Sequence, residues 1–220
     1  MTPEQRLAEV LGEAPAPEGS WEREAAYLSA AARRLGVPAA GLAARVRAVE
    51  GVAAVEERPN GFLRIVVEVP GRLVETVGPL SLPDPWPDFP RTWDNPGFAV
   101  RYGHARAVAV RRRARDLGVP EAGFRPELLA DPRDRAVLRV LAELPGRLAK
   151  DPEPPGRPAR GEGARSAWTA YAVRLAMAYH DAYELAPALP VGDEEPSPLH
   201  TARVRLARAV EGVLPGPDRL

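Results

Sequence analysis

Asp94-Asn95-Pro96-Gly97-Phe98-Ala99-Val100-Arg101-Tyr102-Gly103-His104-Ala105-Arg106 runs into an arginine-rich continuation that ends near Leu117. Asp94 offers a side-chain acceptor to the free N–H groups of a first helical turn. Pro96 suits that turn, because its missing N–H would have had no partner there, and Gly118 can close the far end. The stretch therefore predicts a helix of about twenty residues. Around its axis Arg101, His104, Arg111, Arg112 and Arg115 share one face, while Arg106 and Arg113 project from another. A strip of guanidinium groups with Tyr102 nearby can hold phosphates through forked hydrogen bonds and stack an unpaired base.

Downstream, Asp131-Pro132 repeats the cap-plus-proline start, and Val137, Leu138, Leu141 and Leu144 form an apolar stripe that Pro145 interrupts. Residues 151–163 are rich in Pro, Gly and Arg and read as a mobile loop. Trp168, Tyr171, Leu175, Tyr179 and Ala182 then recur at three and four, which places them on the buried side of a long helix. A last helix follows over Ala202 to Val210.

Upstream, Gly78 to Pro90 holds five prolines, which forbid a helix or a central strand and favour an extended connector. Before it, Thr2-Pro3-Glu4-Gln5 has capping-box spacing and opens a helix through Leu11. Ser20 is expected to cap a second helix carrying Trp21, Ala25, Leu28, Ala32 and Leu35, which Gly36 ends. Leu42, Val46 and Val49 mark a third. The period changes at Val52: Val52 to Glu57 and Phe62 to Val69 are β-branched runs joined through Pro59-Asn60-Gly61, a strong hairpin signal. Gly71 to Val77 reads as a brief returning helix. Three parts result: a small α+β unit over 1–78, a proline-rich linker over 79–92, and a helical unit over 93–220.

The totals bound the function. The chain has 220 residues, 45% of them hydrophobic, which suffices for real cores. Lys+Arg and Asp+Glu both count 30, so any basic surface must be local. Lys150 is the sole lysine, and a general excess of Arg, Ala, Gly and Pro discounts arginine number as a signal unless the side chains cluster. With Cys at 0, disulfides, thiolate metal sites and cysteine nucleophiles are excluded, and a reducing cytoplasm fits. No apolar run follows the charged start Met1 to Arg6 and none is long enough for a membrane span, so neither signal peptide nor membrane association is expected.

The string from Asn95 to Arg106 resembles the start of the helical, DALR-type anticodon-binding domain of arginyl-tRNA synthetases, where an Asn-Pro-x-(aromatic)-x-Val-Gln-Tyr-Ala-His-Ala-Arg pattern opens the first helix. Ala178 to Glu184 and Ala202 to Val210 resemble later strings of that domain, so the likeness covers nearly all of 93–214. Residues 27–77 resemble, more loosely, the additional α/β domain at the start of bacterial members. In that family the catalytic domain sits where this chain has its proline-rich linker. The resemblance implies a non-catalytic binder of tRNA or another structured RNA, in a regulatory or accessory role, contacting it through Asn95, Arg101, Tyr102, His104, Arg106, Arg111, Arg112 and Arg115. The alternative is a protein–protein adaptor that kept the fold and lost RNA recognition.

The chain departs from the pattern in three places. Arg101 replaces Gln, and Gly103 replaces Ala, which costs about 1 kcal/mol in a helix interior and suggests close approach of another backbone or of RNA. The family ends on an aliphatic segment and a terminal Pro-x-x-Met, whereas Val213-Leu214 is followed here by Pro215-Gly216-Pro217-Asp218-Arg219-Leu220.

No catalytic constellation is legible. The His-x-Gly-His and Lys-Met-Ser-Lys types of motif that this synthetase class uses do not occur, nor does a Walker-type loop. His104, His180 and His200 lack the spacing of a zinc site and read as packing or capping residues. The sequence implies no enzyme, cofactor or metal.

Overall fold

The computed structural model describes residues 1–80, 87, 89–150 and 162–216. Half of the proline-rich linker and most of the loop expected over 151–163 therefore lie outside the described residues.

The chain opens with α1 (Pro3–Leu11), whose capping box is formed as its sequence dictates: Thr2 accepts from the Gln5 N–H while the Gln5 side chain accepts from the Thr2 N–H. Next come β1 (Ala16–Glu18), β2 (Ala25–Ser29), α2 (Ala31–Leu35), α3 (Ala39–Arg47), β3 (Val52–Glu57) and β4 (Leu63–Val67). The four strands form an antiparallel sheet ordered β1-β2-β4-β3, with Tyr27 opposite Ile65 and Val55 opposite Ile65 from the other side. The Asn60-Gly61 hairpin is present, and Gly61 takes the positive φ of 76° that its turn requires.

Of the helix expected from Ser20 to Leu35 only the end is formed, as α2 closed by Gly36; Ser20 starts no helix. Gly19 and Trp21 both adopt positive φ, 71° and 66°, which no right-handed helix passes through. The residues after them become the central strand β2, where Ala25, Ala26, Tyr27 and Ser29 are all buried. A strand buried on both faces shows no alternation, and its apolar run fell by chance on helical spacing. Trp21 instead anchors the turn: its indole N–H donates to the Ala26 carbonyl at 2.9 Å, and its ring meets Tyr27 edge-on.

A 3-10 turn over Pro70–Glu75 leads toward the helical part, which comprises α4 (Pro96–Asp116), α5 (Pro132–Leu141), α6 (Leu144–Lys150), α7 (Glu162–Leu185) and α8 (Pro198–Val213). The protein is thus mainly α with a small antiparallel sheet near its N-terminus. Helix α4 packs between α7 and α8, and α5 lies on α7. Trp168, Tyr171, Leu175, Tyr179 and Ala182 form the buried stripe of α7, as their spacing predicts. Gly103 lets α4 approach α7 closely, since a Cβ there would stand 3.1 Å from the Ala176 Cβ and 3.3 Å from its Cα. The close partner anticipated at Gly103 is therefore a neighbouring helix.

The α+β part is held directly against the helices. At Gly71 an added Cβ would fall 2.1 Å from the carbonyl oxygen of Pro126, in the short 3-10 turn Pro126–Leu128 before α5. Arg135 and Arg139 of α5 donate to the carbonyls of Arg23 and Gly19, and the Leu80 N–H donates to the Gly212 carbonyl of α8 at 2.7 Å. These contacts bring the residues after the sheet alongside α4 and α8.

Candidate nucleic-acid interface

The start of α4 is organised by Asn95, which corrects the expectation that Asp94 caps it. Asn95 Oδ1 accepts from the Gly97 N–H at 2.9 Å, while Nδ2 donates to the carbonyls of Pro87 and Pro90 at 3.1 and 2.8 Å. The residue directly before a first-turn proline is forced into extended backbone, which aims its side chain at the free N–H groups. Asn95 is buried and fixes the incoming chain.

One turn later the sequence-predicted residues divide between two neighbours. Tyr102 and Arg106 face α7. The Arg106 guanidinium lies 4.4 Å from the Tyr102 ring centre and 4.2 Å from that of Tyr183, donates to the Tyr102 hydroxyl at 2.8 Å and pairs with Glu184 at 2.6 Å. Its Nη1 also lies 2.7 Å from His180 Nδ1. Arginine can only donate, so that nitrogen accepts and the ring proton sits on Nε2. Trp93 stacks on His180 with ring centres 4.6 Å apart and meets Tyr102 edge-on, leaving a half-exposed aromatic edge.

His104 and Arg111 face α8 instead. His104 Nδ1 donates to the Leu214 carbonyl at 3.1 Å, and Arg111 pairs with Glu211 at 2.5 Å. Arg101 is half-buried and already interacts with other groups. Arg112 and Arg115 are exposed, and among the described residues no carboxylate pairs with either. Arg113, from the other face, lies 4.0 Å from Asp116.

Two functional candidates escaped sequence reasoning. Arg205 and Arg208 of α8 stand across from Arg111 and Arg115 along one shallow depression between the helices. Arg205 donates to the Glu121 carbonyl at 2.8 Å; among the described residues neither it nor Arg208 has a carboxylate partner. Their spacing of three on one helical string was a readable signal, but only packing shows that this face meets α4. Elsewhere many arginines are neutralised, as where Arg139, Arg147 and Arg174 converge on Glu143. Arg115, Arg205 and Arg208 thus form a local basic surface on a protein of zero formal net charge, and Arg112 adds an exposed guanidinium on α4.

The other histidines do structural work: His200, buried, completes the capping box of α8 with Ser197, as His180 completes the α4–α7 contact. No group of His, Asp and Glu among the described residues is arranged to hold a metal, and no helix among them is long and apolar enough to cross a membrane.

Over 126 residues, or 56% of its length, the chain is 41% identical to an arginine–tRNA ligase of Clavibacter sepedonicus. Over 128 residues, again 56%, it is 39% identical to one from Frankia alni. Both matches cover 21% of the relative, so the chain spans about a fifth of the length of the curated relatives it matches. No family model matches the chain. No solved structure matches it either.

Proposed function

We propose that this protein is a non-catalytic binder of tRNA or another structured RNA, related to the DALR-type anticodon-binding part of arginyl-tRNA synthetases and acting in a regulatory or accessory role. The similarity to arginine–tRNA ligases supports the RNA class. The observation that carries the reading is the meeting of Arg115, Arg205 and Arg208 across α4 and α8 without carboxylate partners among the described residues, with Arg112 exposed on the same helix as Arg115. Guanidinium groups left without acids in a protein that pairs most of its charges are available for phosphates. The half-exposed Trp93, Tyr102 and His180 rings cluster near the N-terminal end of α4, against α7, and offer stacking surface for unpaired bases.

The adaptor reading is favoured by one observation, the exposure of Phe89 and Trp93 at 81% and 45%, which suits a protein partner as well as a base. Purification of the chain from cell lysate, with and without nuclease, followed by sequencing of bound RNA, separates the two. Nuclease-sensitive association with an enriched RNA is expected. Nuclease-resistant protein partners with no enriched RNA would transfer the assignment to the adaptor.

A further inference from the structure

A cleft of about 530 Å³ lies where the α+β part meets the helices. Its two walls differ in chemistry. One is apolar and comes from the chain around the junction: Val74, Val77, Pro79 and the half-buried ring of Phe124. The other is cationic and comes from α4 and α8: His104, Arg111, Arg205 and Arg208. Glu75 and Glu211 also line it, so three arginines face two carboxylates and one positive charge is left over.

This combination matches a particular ligand. A volume within the roughly 300–1,000 Å³ of small-molecule sites holds one nucleotide and excludes a duplex. A single uncompensated cation suits one phosphate group rather than a run of them. Arg208 is exposed and lacks a carboxylate partner among the described residues, so it is the guanidinium available to that phosphate. Phe124 and the flanking aliphatic side chains give a planar base a surface to pack on. The backbone is also built to keep the walls together, since Gly71 admits the Pro126 carbonyl at a distance no side chain would allow.

We propose that this cleft is a nucleotide site: it takes one nucleoside monophosphate unit, phosphate toward Arg208 and Arg205 and base against Phe124, supplied by an unpaired position of the bound RNA. For that source the inference rests on the RNA-binding reading above. It adds that the α+β part supplies one wall of the RNA site.

The test is a titration of the isotopically labelled full chain with adenosine 5′-monophosphate, followed by amide chemical shifts. Saturable shifts are expected at Val77, Phe124 and Arg208. Inorganic phosphate and ribose 5-phosphate should bind about tenfold more weakly, because they lack the stacking base. Arg208→Glu should abolish saturation and Phe124→Ala weaken it about tenfold, whereas Arg45→Glu on α3 should leave it unchanged. The unaffected remainder of each spectrum verifies folding. Absence of saturable shifts at the cleft, equal binding of phosphate alone, or unchanged binding by Arg208→Glu would overturn the site. Added tRNA should displace the mononucleotide. Salt-dependent tRNA binding that leaves the mononucleotide in place would sink the cleft inference and leave the RNA reading standing. Saturable mononucleotide binding by a chain that binds no tRNA would do the reverse, and the cleft would then serve a free nucleotide.

Discussion

Arg111 of α4 and Glu211 of α8 meet at 2.5 Å beside the basic surface, with side chains 34% and 23% exposed. The pair ties the two helices together, so reversing Arg111 tests folding as much as binding. Arg111→Glu should lower unfolding free energy by about 1 kcal/mol, and exchanging the pair through Arg111→Glu with Glu211→Arg should recover most of it. Urea denaturation of the three proteins decides this. Equal stability of the single and wild-type chains would mean that the pair contributes nothing.

Arg112 and Arg115 are the cleaner probes of function. Both are exposed without acidic partners among the described residues, so Arg112→Glu and Arg115→Glu should each change stability by less than about 0.5 kcal/mol. Thermal denaturation should show near-identical midpoints; a large loss would assign them to packing.

Gly71 holds the α+β part against the helices. Gly71→Ala places a Cβ 2.1 Å from a backbone oxygen that belongs to a rigid turn, so it should cost on the order of 1–3 kcal/mol or more. Gly103→Ala meets the Ala176 Cβ at 3.1 Å, a milder approach than 2.1 Å though one that only a small shift of α7 relieves, and regains about 1 kcal/mol of helix propensity, so its cost should be smaller. Chemical denaturation of both variants tests the ranking, and a milder effect at Gly71 would contradict the close approach.

Asp134 links α5 to α8 through Arg203, with Oδ2 3.0 Å from Nε. Burial pushes its carboxyl up from 3.8 to about 6, against the downward pull of Arg203. A carboxyl with a raised folded-state pKa binds its proton more tightly when folded, so its contribution is full below the unfolded value and is lost as pH rises through about 6. The stability of the wild type relative to Asp134→Asn should therefore fall by about 2 kcal/mol between roughly pH 4 and pH 6.5. A relative gain over that window would show that Arg203 wins over desolvation.

The sequence discloses most where structure is local. The Thr2 capping box, the Asn60-Gly61 hairpin, the Asp131-Pro132 helix start and the buried stripe of α7 each depend on a few neighbouring residues, and each is present. It misleads at β2, because a strand flanked on both edges and buried on both faces carries no period of its own. The site divides the same way. The arginines of α4 stand out in one string, whereas Arg205, Arg208 and Phe124 join them only through packing between elements distant in sequence.

The most direct test of RNA binding is tRNA affinity of the full chain across a salt series. Each phosphate neutralised by an arginine releases counterions, so log affinity should fall linearly with log salt. The double change Arg112→Glu and Arg115→Glu should weaken binding and reduce that slope by about 2. Absent binding, or an affinity indifferent to salt and to both substitutions, would contradict it.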